Sequence, residues 1–201
     1  HTRLVIVSHV SYKTGFRFDL AEVSAKVRAA GNAWFAVDAS QSLGVVPVDA
    51  QACDFVVSTG FKWTLGAHGA AIFFWNKSRT GDCAPPATGW HSFVNENGHR
   101  ARLKSSAERF EPGNPAYLPI SVLNCGLRTL ADAGTNNIAH HVESLAGCLF
   151  EGATKLGLPV TTPRPAHQRA GIICWSDLDC ASTALALADR GIDVTGNAGR
   201  I

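Results

Sequence analysis

Four short runs, at residues 4–7, 33–37, 54–57 and 70–75, apolar throughout except for Asp54, constrain this chain more than any other feature, because each stops abruptly at polar residues. Runs of that length suit strands rather than helices, and continuous apolarity without alternation is the mark of a strand covered on both faces of a parallel sheet. Between the first two runs lies one helical pattern. Asp19 opens it with Glu22 three positions on as a capping box, Leu20, Val23 and Val27 form its apolar stripe, and Gly31 ends it. Strand, helix, strand is the βαβ unit of a mostly parallel α/β sheet.

Beyond residue 80 the periodicity weakens. Pro85-Pro86 and Asn95-Glu96-Asn97-Gly98 predict long loops up to residue 114, with at most one short strand. Two helices are then expected. One covers 119–133 and stops at Gly134, and the other, with Ile138, Val142, Leu145, Leu149 and Leu156 on one face, stops at Gly157. A strand at 170–175, a helix at 180–190 and an apolar run at 192–194 predict part of a second, smaller α/β domain. The expected division is 1–115 for the C-terminal part of the large domain and 116–201 for connecting helices and an incomplete small domain.

Composition narrows the function classes. Eighteen Lys and Arg against 16 Asp and Glu leave a net charge of +2, too little to attract nucleic acid or an anionic membrane surface. No apolar run approaches the roughly 18–20 residues of a membrane helix. The six cysteines form no C-x-x-C and share no zinc-ligand spacing with histidines, so no metal site is expected. Cys53 and Cys174 sit within apolar runs as buried thiols would, which favours a reducing, cytoplasmic setting. A chain that starts at His1 inside a strand pattern and contains no Met is expected to be a fragment.

In a doubly wound sheet ligands bind beyond the carboxyl ends of the strands, so the residues that follow each run are the ones to inspect. The first run ends in Ser8-His9-Val10-Ser11-Tyr12, the second in Asp38-Ala39-Ser40-Gln41, and the third in Ser58-Thr59-Gly60-Phe61-Lys62-Trp63. Lys62 is the only Lys or Arg between Arg28 and Lys77 and is flanked by Phe61, Trp63 and Leu65. Apolar surroundings disfavour the ammonium form of an amine, and a lysine that condenses with a carbonyl must shed that proton. A carboxylate such as Asp38 complements it by keeping a pyridine nitrogen protonated. Each residue taken alone reads equally as a solvated loop lysine and a turn or cap aspartate.

The segments that carry a resemblance are Val37-Asp-Ala-Ser-Gln-Ser-Leu-Gly-Val-Val-Pro-Val-Asp49, Asp54-Phe-Val-Val-Ser-Thr-Gly-Phe-Lys-Trp-Thr-Leu-Gly66 and Gly69-Ala-Ala-Ile-Phe-Phe-Trp75. They are flanked by Ser8-His-Val-Ser-Tyr-Lys-Thr-Gly15 and Arg109-Phe-Glu-Pro-Gly-Asn-Pro115. Together they resemble the class V aminotransferase family, fold-type I pyridoxal-phosphate enzymes that include cysteine desulfurases, kynureninase and isopenicillin-N-epimerase-like proteins. The resemblance implies pyridoxal 5'-phosphate as cofactor, a small amino acid as substrate and a homodimer. It makes Lys62 the Schiff-base lysine and proton carrier, Asp38 the partner of the pyridine nitrogen, and Gln41 the partner of the phenolic oxygen. Thr59, with Ser58 beside it, becomes a phosphate contact, His9 a cofactor or substrate contact, and Arg200 the clamp on the substrate carboxylate.

The departures from the pattern are specific. Phe61 stands where many members have His, Asn114 where many have a Thr that reaches the neighbouring subunit's phosphate, and Tyr12 where desulfurases carry Asn. The segment from Gly191 to Arg200 has no cysteine and Cys180 is the nearest, which argues against a desulfurase nucleophile. Transamination is the family default. Elimination, epimerisation and kynureninase-type hydrolysis use the same residues, and a non-catalytic chain that keeps only the fold is the alternative from another class. The resemblance also puts the phosphate-binding turn and the ring-stacking aromatic residue ahead of residue 1.

Overall fold

The computed structural model describes residues 1–201, apart from the side chain of Ala101. The four apolar runs become one sheet in sequence order: β1 (Leu4–Ser8), β2 (Trp34–Asp38), β3 (Phe55–Thr59) and β4 (Ala71–Trp75). The first three are parallel, with Ser8 beside Asp38 and Asp38 beside Val57. β4 returns antiparallel to β3, Thr59 facing Ala71.

Helix α1 (Leu20–Ala29) makes the crossover from β1 to β2. Asp19 caps it by accepting from the Glu22 N–H at 3.0 Å. The reciprocal half of the capping box does not form, because the Glu22 carboxylate is drawn instead to Lys26 one turn on, at 2.6 Å. Leu20 and Val27 pack on Phe35, Val37 and Val56 to form the core, with Val5, Val7 and Phe74 against its rim. Phe35 and Val37 are wholly enclosed, and truncating an aromatic in such a core costs about 3–5 kcal/mol.

The sheet is covered on one face only. Leu4 and Ile6 of β1, Trp34 of β2, Val57 of β3 and Phe73 of β4 are exposed, Ile6 at 64% and Phe73 at 62%. Of the two faces expected to be covered, the elements of this chain cover one. The pleat sends alternate side chains to opposite faces, and α1 covers one of them. Trp34, Phe55 and Phe73 form an aromatic row across the strands, with ring centroids 5.8 Å and 6.0 Å apart.

At the amino end of β3 a buried carboxylate pins the sheet. Asp54 accepts from the Phe35 N–H at 2.8 Å and pairs with Arg28 at 3.0 Å and Arg79 at 3.4 Å. Arg79 lies in α2 (Lys77–Thr80), which follows β4 directly.

The loop-rich stretch holds more structure than expected. β5 (Phe93–Glu96) and β6 (His99–Leu103) form an antiparallel hairpin, where one short strand at most was expected. Its turn is Asn97-Gly98, with positive φ at both residues (52° and 80°), the pairing that an Asn-Gly hairpin turn requires. Arg109 is buried behind it, paired with Asp82 and bonded to the Cys83 carbonyl at 3.2 Å. The Trp75 and Phe110 rings lie 5.6 and 5.0 Å from its guanidinium.

Helix α3 (Tyr117–Ala133) stops at Gly134, which has φ 84°, and α4 (Thr135–Lys155) begins at once. The apolar run at 170–175 does not form a regular strand. Its hydrogen bonds divide between two segments: Cys174 bonds Thr161 and Thr162, while Trp175 exchanges both backbone bonds with Ile201 at 3.1 Å, so no ladder extends. The run at 192–194 forms no strand either. Helix α5 (Cys180–Ala188) lies between them. No helix among the described residues is long and apolar enough to cross a membrane.

Candidate cofactor site at the carboxyl edge of the sheet

The polar residues that follow β2 and β3 meet where the strands end. After β2, Asp38 Oδ1 accepts from the Ser40 N–H at 2.9 Å, and the chain folds tightly as Ser42 and Leu43 bond back to the Ala39 carbonyl. Ser40 Oγ accepts from the Thr59 N–H at 3.1 Å, which ties this turn to the end of β3. The His9 N–H bonds the Asp38 carbonyl at 2.9 Å. Three strand ends are thus held in one edge.

Lys62 lies in the connection between β3 and β4, and that connection is closed on itself. The Gly60 N–H reaches the Ala70 carbonyl at 3.0 Å and the Gly66 N–H reaches the Gly60 carbonyl at 2.7 Å. The enclosed Thr64 hydroxyl serves the Thr59 and Gly60 carbonyls at 3.2 and 2.9 Å. A Cβ at Gly66 would stand 2.5 Å from the Gly60 oxygen, so glycine is required there. From behind, α3 presents Gly126, where a Cβ would meet the Thr64 carbonyl at 2.4 Å.

Sequence reasoning expected apolar neighbours to enclose the lysine. Within this chain Lys62, Phe61, Trp63 and Leu65 are all exposed. The Phe61 ring lies 6.0 Å from the amine and stacks on His68 with centroids 3.9 Å apart. Trp63 turns its indole N–H to Gln41 Oε1 at 3.2 Å, joining the two loops through side chains.

The expected site residues fall into distinct groups. Asp38, Gln41, Thr59 and Lys62 share this edge. Ser58, beside them in sequence, is buried, and its hydroxyl serves the Thr59 carbonyl at 3.2 Å. His9 is 3% exposed with no partner for Nδ1. Burial, and then the Arg17 charge, push its pKa down to about 4, so it is a neutral imidazole at pH 7. Asn114 is exposed in the turn that leads to α3. Arg200 has its backbone bridged to Ser176 and Asn197. Thr64 and Trp63, which hold the lysine loop, went unnoticed in the sequence. Buried Cys53 has its thiol pushed up to about 11, chiefly by desolvation, as suits a packing residue.

The free valences at this edge fit pyridoxal phosphate. Asp38 Oδ2, the Gln41 amide nitrogen and the Lys62 amine have no hydrogen-bond or ion-pair partner among the described residues, and Thr59 Oγ1 is enclosed without one. Buried polar atoms are seldom left unpaired. A carboxylate for a ring nitrogen, a donor for a phenolic oxygen, a hydroxyl for a phosphate and an amine for an aldehyde make up the donor set this cofactor needs.

Fold and donor set together define the fold-type I pyridoxal-phosphate enzymes. The sequence model described as "Aminotransferase class-V" matches residues 1–200, and the chain belongs to that family. It is 28% identical over 185 residues to the "Uncharacterized aminotransferase YcbU" of Bacillus subtilis (strain 168), which covers 91% of this chain and 49% of that protein. It is 29% identical over 176 residues to a "Probable cysteine desulfurase" of Pyrococcus abyssi (87% of this chain, 44% of the other). With a "Kynureninase" of Pseudomonas fluorescens it shares 25% over 200 residues (95% and 48%). Among solved structures, the apo cysteine desulfurase of Thermococcus onnurineus NA1 superposes with TM-score 0.83 at 27% identity, over 96% of this chain and 49% of that one. The chain therefore spans about half the length of the curated relatives it matches.

Proposed function

We propose that this chain carries the lysine half of the active site of a pyridoxal-phosphate-dependent enzyme that acts on a small amino acid, with transamination as its reaction. The observation that carries the reading is the unpaired Lys62 amine on the closed loop that follows β3, at the same carboxyl edge where the neighbouring β2 ends in the half-free Asp38 carboxylate. When bound, the cofactor supplies an aldehyde and an electron-accepting ring. Lys62 Nζ would be the amine that holds that aldehyde and the base that moves the proton at the substrate α-carbon. Asp38 Oδ2 holds the proton on the pyridine nitrogen, Gln41 donates to the phenolic oxygen, and Thr59 holds the phosphate.

Arg200 is assigned to the substrate carboxylate, Asn114 to the phosphate of a second subunit in a homodimer, and His9 to a contact at the edge of the site. Residues 1–115 serve as the cofactor-binding part, and 116–201 as connecting helices and part of a small domain that carries Arg200. A cytoplasmic setting suits its free cysteines. Two of them, Cys53 and Cys174, are buried.

The test is pyridoxal phosphate added to protein expressed from the complete reading frame. A visible absorbance band that Lys62→Ala abolishes supports the reading, and a colourless wild type overturns it. A panel of amino acids with and without a 2-oxo acid acceptor then decides the reaction. Acceptor-dependent turnover supports transamination, and release of ammonia, sulfur or racemised substrate without acceptor replaces it with lyase or epimerase chemistry.

A further inference from the structure

We propose that Trp63 is a positioning residue for the cofactor site, one that locks the Gln41 amide in the single orientation able to donate to the cofactor's phenolic oxygen. The inference rests on the cofactor reading above and adds to it a residue that never touches the cofactor.

The argument begins with an asymmetry of the indole. Its Nε1–H can donate but cannot accept. The Gln41 atom 3.2 Å away must therefore be the carbonyl oxygen, which removes the usual ambiguity of an amide flip. Gln41 makes no other side-chain hydrogen bond among the described residues, so Trp63 alone sets which end of the amide faces out. The exposed end is then the NH2 group. A phenolic oxygen that carries negative charge accepts hydrogen bonds only, so an NH2 group stabilises it and a flipped amide, presenting its carbonyl, would repel it.

Trp63 is itself fixed. Its carbonyl packs against Gly44, where a Cβ would stand at 2.6 Å, and the far edge of its ring packs against Gly171, where a Cβ would stand 3.4 Å from Cη2. Val45 and Val142 crowd the same point, their methyls 3.3 and 3.0 Å from that Cβ position. The ring thus reaches from the lysine loop to a residue beyond α4. Being adjacent to Lys62, it couples the orientation of Gln41 to the loop that presents the amine.

The experiment titrates the visible band of bound pyridoxal phosphate against pH, without substrate, in protein expressed from the complete reading frame. Trp63→Phe keeps the ring and deletes the donor. Losing one neutral hydrogen bond to the phenolic oxygen should let the chromophore hold its proton to higher pH, raising the midpoint by about half to one pH unit. Gln41→Ala should raise it at least as far, and Trp63→Phe in the Gln41→Ala background should add nothing, since both act through one contact. Gln41→Glu, which can still accept from the indole but places a negative charge beside the phenolic oxygen, should raise it further than Gln41→Ala does. No shift with Trp63→Phe, or the same shift in both backgrounds, overturns the proposal. A measurement without cofactor guards against misfolded variants: the Trp63 indole 1H–15N resonance should move in Gln41→Ala, and its staying in place overturns the proposal too. A colourless wild type is a different failure, that of the cofactor reading itself.

Discussion

Two aspartates at opposite ends of the sheet show how this chain separates support from chemistry. Asp54, ahead of β3, spends both oxygens: Arg28 and Arg79 share Oδ1, and the Phe35 N–H takes Oδ2. Asp38, at the end of β2, spends only Oδ1, on the Ser40 N–H two residues away. Both are short acidic residues at the margin of a strand, yet one is a saturated brace and the other keeps a free valence. A buried charge is tolerable only when its partners are in place, whereas a site must keep something unspent.

The comparison can be broken first at the lysine. Lys62→Ala should remove the cofactor band entirely while leaving the urea midpoint within the scatter of surface substitutions, and a band that survives would mean another amine holds the cofactor. Next come the aspartates. Asp54→Ala should cost about 3 kcal/mol, since it strands the enclosed Phe35 N–H and releases two arginines from one anchor. Asp38→Ala should cost under about 1 kcal/mol yet weaken cofactor binding at least about tenfold. Urea melts and cofactor titration of the same pair would show it, and a reversal of the two effects would reverse the assignment of brace and site.

His9 sharpens the same contrast through pH. Its folded pKa, about 4, is depressed below the unfolded 6.5, so the unfolded chain binds more protons between those values. Stability from this group is present above pH 6.5 and lost as pH falls through 4, on the order of 2–3 kcal/mol in all. His9→Gln should flatten that part of the pH-stability curve. An unchanged slope would show that the imidazole charges freely in the folded state. The smallest effect belongs to Glu22→Gln, which breaks the exposed pair with Lys26 and should leave the urea midpoint unmoved.

What could be read from the residues, and what could not, follows the range of the forces involved. β1 to β4 were readable because each apolar run ends at a polar residue, and α1 because Asp19 and Gly31 bracket one clean stripe. The hairpin of β5 and β6 was missed although Asn97-Gly98 announces its turn, since its strands carry His99, Arg100 and Arg102 where apolar alternation was sought. The 170–175 run makes bridges to Val160 and Ile201 rather than a regular ladder, a pairing that apolarity alone does not encode. The family motif brought Asp38, Gln41, Thr59 and Lys62 to one edge. The exposure of Lys62 was hidden, because flanking aromatics say nothing about whether a loop folds inward or projects. The bond from Trp63 to Gln41 spans 22 positions and depends on two loops meeting, which no local pattern encodes.

The closed loop between β3 and β4 has a bearing on how this chain can vary. Surface connections ordinarily accept added or deleted residues with little harm. This one is tethered at Gly60 to Ala70, at Gly66 to Gly60 and at Thr59 to Ala71, so its length is fixed as firmly as that of a strand. A residue inserted between Gly60 and Gly66 must break that closure, and one taken up by the strands instead would slip the β3–β4 register and turn the side chains of β4 to the opposite face. Relatives that keep the lysine at this edge should therefore differ freely in the hairpin of β5 and β6 but share the spacing from Gly60 to Gly66 residue for residue.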